Sequence, residues 1–169
     1  MQLIAIDGPS GSGKSMYADR LVERLRQGGA AVALVRTDHF ATWARPASWW
    51  PSLQECVLEP LLAGRAGAYR PLEWSGTARE WSVRPGSVIG VPVPDILVLE
   101  GVTSARRSVA DRLDRALWVE WGSEAERLER SVARDGEDYR ELLRRWQLFE
   151  RGWFAVDDTR SRCEVVAGG

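Results

Sequence analysis

The chain has 169 residues, 44% of them hydrophobic and 28% charged, with a formal net charge of −1. That length and composition fit one soluble globular domain with a core of its own, and the near-neutral charge offers no basic field to a nucleic-acid partner. No stretch is apolar and long enough to span a membrane, and Cys56 and Cys163 lack paired spacing, so neither a disulfide scaffold nor a zinc site is expected and a reducing cytoplasm is.

The first predicted element is Met1–Ile6 (MQLIAI), an apolar run suited to a buried parallel strand and with no room before it for a signal peptide. It leads into GPSGSGKS, Gly8 to Ser15, spaced G-x-x-x-x-G-K-[ST]. Bare glycine backbone lets successive N–H groups turn inward and cradle phosphate oxygens. In that pattern Lys14 brings a mobile positive charge to the β- and γ-phosphates, and the Ser15 hydroxyl is a ligand for Mg2+. The expected nucleotide contacts are Gly8, Pro9, Ser10, Gly11, Ser12, Gly13, Lys14, Ser15 and Met16. Met16–Arg26 follows near helical spacing through Met16, Tyr17, Leu21, Val22 and Leu25, and Gly28 and Gly29 stop it. Strand, glycine loop and helix together predict a nucleoside triphosphate, held at a helix N-terminus.

Ala31–Thr37 is the second predicted strand, and it ends in RTDHF, Arg36 to Phe40. The carboxyl ends of parallel strands face the ligand crevice, so Asp38 is placed to take the proton of an attacking hydroxyl. A turn or capping aspartate is the other reading of that position. His39, the one histidine, is either structural or an acceptor contact. Residues 41–95 are rich in Trp, Pro, Gly and Arg and poorly periodic, apart from a short helix around Leu53–Leu62. Trp43, Trp49, Trp50, Trp74 and Trp81 crowd there, and segments of this length tend to carry function, so it is read as the acceptor-binding region. In YRPLEW, Tyr69, Arg70, Glu73 and Trp74 offer an aromatic and a charged group together, for stacking an acceptor ring or for packing.

Ile96–Leu99 is the third strand, and ILVLEG closes it with Glu100. That carboxylate is expected near Mg2+, directly or through a water, with a helix-capping role as the alternative. Asp7 is a second, weaker acid for the same metal. Ala116–Val119 and Cys163–Val166 are the fourth and fifth strands, with helical patterns over Ser123–Arg134 and Tyr139–Phe154. The alternation predicts an α/β fold, a parallel sheet with helices on both faces. Ser123 and Glu126 have capping-box spacing, while Arg127, Arg130 and Arg134 share one helix face. Those arginines either close over the nucleotide and stabilise the transferred phosphoryl group, or lie solvated with Glu126 paired to Arg130.

Five stretches, GPSGSGKS (8–15), TDHF (37–40), YRPLEW (69–74), LVLEG (97–101) and RSVARD (130–135), resemble the uridine kinase-like branch of P-loop kinases. That branch includes uridine, pantothenate and phosphoribulose kinases. The resemblance implies a P-loop NTPase fold with a five-stranded parallel sheet, as a single kinase domain over 1–169. It implies an acceptor-binding insertion at about 41–95 and a lid at about 123–140. It implies Asp38 as general base, with Lys14, Arg130 and Arg134 as further catalytic groups, and Ser15 and Glu100 on the metal. His39, Phe40, Tyr69, Arg70 and Trp74 would surround the acceptor. The implied activity is ATP- and Mg2+-dependent transfer of the γ-phosphoryl group to a hydroxyl acceptor, a nucleoside foremost. Such a protein works in the cytoplasm without nucleic-acid or membrane partners, and family members often form homo-oligomers.

The acceptor stretch departs from that pattern. Uridine kinases carry tyrosine, aspartate and phenylalanine followed by a histidine, whereas here Tyr69 runs on through Arg70, Pro71, Leu72, Glu73 and Trp74 with no histidine after it. Two other readings stand beside the first. IDGPSGSGKS also resembles the start of cytidylate kinases, and Arg65, Arg70, Arg79 and Arg84 are available for an acceptor phosphate, although such an acceptor needs no base at Asp38. The third is a regulatory NTPase without a small acceptor.

Overall fold

The computed structural model describes residues 1–76 and 80–167. Strand β1 (Gln2–Asp7) and helix α1 (Lys14–Gln27) flank the glycine loop, and β2 (Val32–Arg36) follows. Next comes a helical stretch made of α2 (Trp50–Leu53), a π-helical turn (Gln54–Leu58) and α3 (Glu59–Leu62). Four short strands, β3 (Gly67–Tyr69), β4 (Leu72–Gly76), β5 (Trp81–Pro85) and β6 (Ile89–Val91), precede β7 (Ile96–Glu100). The chain ends through β8 (Arg115–Glu120), α4 (Glu124–Asp135), α5 (Arg140–Asp157) and β9 (Glu164–Ala167).

Five strands form one parallel sheet in the order β2-β7-β1-β8-β9, the five that the apolar runs predict. Successive side chains of a strand point to opposite faces, and here both faces are covered. Leu3, Leu97 and Leu99 face Trp49, Trp50, Leu53 and Val57, while Ile4, Ile6, Ile96 and Val98 face Ala18, Leu21 and Val22 of α1. This two-sided burial is why β7 reads as an unbroken apolar run. None of the described helices is long and apolar enough to cross a membrane.

The region between β2 and β7 is more ordered than its composition predicts. Strand β3 pairs antiparallel with β6, and β4 with β5, so the second ladder nests inside the first as one β-arm. The signal is a two-residue period: Leu72 and Trp74 alternate with Glu73 and Ser75, as Trp81 and Val83 do with Ser82 and Arg84. Register places Trp74 opposite Val83 and Glu73 opposite Arg84, the latter an ion pair at 3.3 Å. The arm's base is core, because Tyr69 and Val91 pack with Leu53 and Leu97. The helix expected around Leu53–Leu62 starts earlier, at Trp50, with Pro51 in its first turn where a missing N–H costs nothing.

Two tryptophans of the crowded segment serve a buried cation. The Arg106 guanidinium lies 4.9 Å and 4.8 Å from the rings of Trp49 and Trp50, and 5.2 Å from Trp153 of α5. It donates to the carbonyls of Ala47 and Thr103 and to the Thr103 hydroxyl, and burial pulls its pKa down to about 10. Aromatic faces and carbonyls thus replace the water that a charged side chain otherwise needs.

Candidate active site

The phosphate loop owes its shape to two close approaches. A Cβ on Gly8 would lie 2.2 Å from the Val119 carbonyl oxygen, and one on Gly11 2.6 Å from that of Arg127. Only glycine lets β8 and α4 pack so tightly on the loop, and both positions have positive φ. Helix α1 begins at Lys14 without a side-chain cap, and its first internal bond runs from Tyr17 N–H to the Gly13 carbonyl. The earlier N–H groups, Lys14 to Met16, therefore face the mouth of the loop, where the helix carries partial positive charge. Lys14 is buried and folds back so that Nζ donates to the Pro9 carbonyl at 2.9 Å. The Met16 side chain, by contrast, is exposed.

Glu100 ends β7 almost fully buried, with Ser15 Oγ donating to its Oε1 at 3.3 Å and Arg36 Nη1 to its Oε2 at 3.1 Å. Burial pushes the Glu100 carboxyl up from its ordinary value, against the opposing pull of Lys14 and Arg36. A hydroxyl and a carboxylate beside a phosphate loop are hard oxygen donors of the kind that Mg2+ takes. Asp7 does not join them. Its oxygens accept the backbone N–H groups of Gly8, Thr103 and Ala105, at 2.7, 3.0 and 2.9 Å, so it pins the loop to the chain after β7. Complete burial raises the Asp7 pKa to about 6 despite those bonds.

A cleft of about 510 Å3 opens beside the loop. Its lining includes Ser10 of the loop, Asp38 and His39, Arg134, Asp135, Tyr139 and Trp146, and Leu72, Trp74 and Ser75 of the arm. Trp43, also in the wall, packs edge-on against Trp74 at 5.9 Å and against Trp146 at 5.5 Å. His39 Nδ1 is 2.8 Å from the Tyr69 hydroxyl, and burial lowers the His39 pKa, which leaves the ring neutral at pH 7. Arg134 pairs with Asp135 through two bonds of 2.6 and 2.7 Å, and the charges of Asp38 and Glu100 add to its hold on its proton.

The sequence-expected residues fall into three groups. Ser10, Asp38, His39, Trp74 and Arg134 meet in the cleft. Phe40 and Tyr69 belong to the core, their tilted rings 4.8 Å apart, and Tyr69 meets the cleft side through its bond to His39. Arg70 turns away to the Gly86 carbonyl, and Arg130 donates to the Gly11 and Trp121 carbonyls while lying 4.1 Å from the Trp121 ring. Neither of these arginines lines the cleft. A further residue, Glu150 of α5, reaches the loop at Ser10. Its signal was an acid on the buried stripe Leu143, Gln147 and Glu150. Trp146 and Tyr139 carry no comparable mark, since only the folding of α4 against α5 brings them to the cleft.

No protein-family profile matches the chain, and no curated protein matches it significantly. Solved structures do match. A possible uridine kinase from Bacillus stearothermophilus superposes with a TM-score of 0.64 at 17% identity, over 99% of this chain and 88% of that one. A Silicibacter sp. TM1040 protein described as a fructose transport system kinase gives 0.62 at 18%, over 99% and 89%. D-glycerate 3-kinase from Cryptococcus neoformans gives 0.66 at 10%, over 98% and 86%. Identities this low speak for architecture alone, and the architecture is plain: five parallel strands, a glycine loop and flanking helices in the P-loop NTPase fold.

Proposed function

We propose that the protein is a kinase that moves the γ-phosphoryl group of ATP to a hydroxyl on a small, uncharged, ring-bearing acceptor, a nucleoside foremost. One observation carries this reading: Asp38, Arg134 and the phosphate-loop residue Ser10 line a single cleft. A carboxylate that faces the place where phosphate and acceptor meet is positioned to accept the acceptor's proton as its oxygen attacks. The loop N–H groups and Lys14 hold the phosphates, and Ser15 and Glu100 are the residues that would hold Mg2+. That ion, when bound, neutralises charge on the phosphates. Arg134, in the lining of the same cleft, is the cation for the transferred group, and residues 123–140 serve as the lid. Arg130 acts more remotely, by fixing the carbonyl of Gly11.

The walls favour an uncharged acceptor. Trp43, Trp74 and Trp146 offer flat apolar surface suited to a base or sugar ring. Among the described residues, Arg134 is the one arginine in the lining, and it is already paired with Asp135. Arg65 is exposed, Arg70 bonds Gly86 and Arg84 pairs with Glu73, so none of these forms an anion clamp in the cleft. Arg79 lies outside the described residues. This weighs against a monophosphate acceptor, and the cleft itself weighs against a regulatory NTPase without a small acceptor.

The deciding experiment measures Mg2+-dependent ATP consumption against nucleosides, sugars, glycerate and nucleoside monophosphates, with Lys14→Ala and Asp38→Asn as controls. Stimulation by a nucleoside or another neutral alcohol, lost in both variants, supports the reading. Stimulation by monophosphates alone, or by nothing, overturns it.

A further inference from the structure

Helix α5 buries Leu143, Gln147 and Glu150 along one stripe. Gln147 makes a neutral tie, its Nε2 donating to the Glu124 carbonyl at 3.0 Å. Glu150, one turn further on, is an acid only 3% exposed, and it reaches the phosphate loop. Its Oε1 and Oε2 accept the Ser10 N–H at 2.9 and 3.1 Å, and the Ser10 hydroxyl donates to Oε1 as well. Trp146 and Lys14 both lie near enough to favour its charge.

A buried carboxylate is costly, and a loop that must receive phosphate is an unfavourable neighbour for one. A neutral side chain would tie α5 down equally well, as Gln147 does. Local choices that break such a rule mark functional positions. Two contacts indicate what this one does. Ser10 lines the acceptor cleft, so Glu150 grips the end of the loop that faces the acceptor. Trp146 lines the same cleft and packs on Trp43, which packs on Trp74 of the arm.

We propose that Glu150 is a positioning residue that fixes Ser10 at the γ-phosphate end of the loop and ties that end to the aromatic wall of the acceptor cleft. The proposal rests on the nucleotide-binding reading of the loop. A role confined to holding α5 would affect all nucleotides alike, whereas a role at Ser10 is felt mainly by the phosphate nearest the acceptor.

The test is calorimetric titration of the full chain with Mg·ADP and with Mg·AMP-PNP, for the wild type, Glu150→Gln, Ser10→Ala and the double variant. Glu150→Gln is expected to weaken Mg·AMP-PNP by at least about tenfold while Mg·ADP stays within about threefold. The double variant is expected to bind no worse than Glu150→Gln, because both changes act through one contact. Thermal melting checks that each variant is folded, and Glu150→Asp, under the same criterion, replaces any Glu150→Gln that is not. Equal shifts for both nucleotides, no shift, or tighter binding overturn the role of Glu150 alone. A wild type that binds neither nucleotide overturns the nucleotide reading and this proposal with it.

Discussion

The hydroxyl of Ser15 lies 3.3 Å from Glu100 Oε1, joining groups 85 residues apart in the chain. Parallel pairing of β1 with β7 brings the phosphate loop and the end of β7 together at the carboxyl ends of the strands, so the contact follows from topology. Glu100→Gln keeps the shape and removes the charge that a divalent ion would use. The half-saturating Mg2+ concentration for ATP turnover should rise by about 10- to 100-fold. An unchanged Mg2+ requirement would take Glu100 out of the metal site.

Asp38 is exposed at the cleft and Phe40 buried beneath it. Replacing the carboxylate with Asp38→Asn should lower kcat by about 10²- to 10⁴-fold and leave nucleotide affinity near its wild-type value. The pair of measurements needed is steady-state kcat and a direct titration with Mg·ADP. Full turnover in the variant would reduce Asp38 to a turn residue.

Trp74 is 40% exposed at the cleft's edge, so truncating it should disturb the acceptor more than the core. Trp74→Leu is expected to raise the acceptor KM roughly tenfold, the loss of about one aromatic contact, without changing nucleotide affinity. A KM unaffected by the change would assign the stacking surface to Trp43 and Trp146 instead.

Asp7 makes stability depend on pH in a definite direction. Its folded pKa of about 6 stands above the ordinary 3.8, so the folded chain binds this proton more tightly than the unfolded one. Its contribution to stability is complete below about pH 4 and is lost as pH rises through about 6, a change of about 3 kcal/mol. Asp7→Asn lacks that titration. Urea unfolding at intervals from pH 4 to 7 should therefore show the wild-type advantage over the variant shrinking as pH rises, and parallel curves would contradict the buried-proton account.

The sheet and the phosphate loop were legible because each is written in contiguous residues: apolar runs for strands buried on both faces, and glycines where backbones nearly touch. The acceptor cleft was less so. Its walls come from the phosphate loop, the turn and loop after β2, the arm, α4 and α5, and no local period announces a meeting of Asp38, Trp74, Arg134 and Trp146. Even within TDHF the roles divide by geometry. Thr37–His39 forms a 3-10 turn, whose period of three places Thr37 and Phe40 inward while Asp38 is exposed and His39 half-buried. The arm was missed because tryptophan and glycine richness reads as loop, although the alternation through Leu72–Ser75 was present all along.

The β-arm joins two parts of unlike cost. At its base, Tyr69 and Val91 are sealed into the core, so changes there are paid for in stability. In the outer ladder, Glu73, Trp74, Ser75, Ser82 and Arg84 are all exposed, although Leu72, Trp74 and Ser75 still face the cleft. Those five exposed residues can thus be exchanged without repacking the interior or moving the phosphate loop. On the kinase reading proposed above, a library randomised over these exposed positions on an otherwise constant chain is accordingly the economical route to new acceptors.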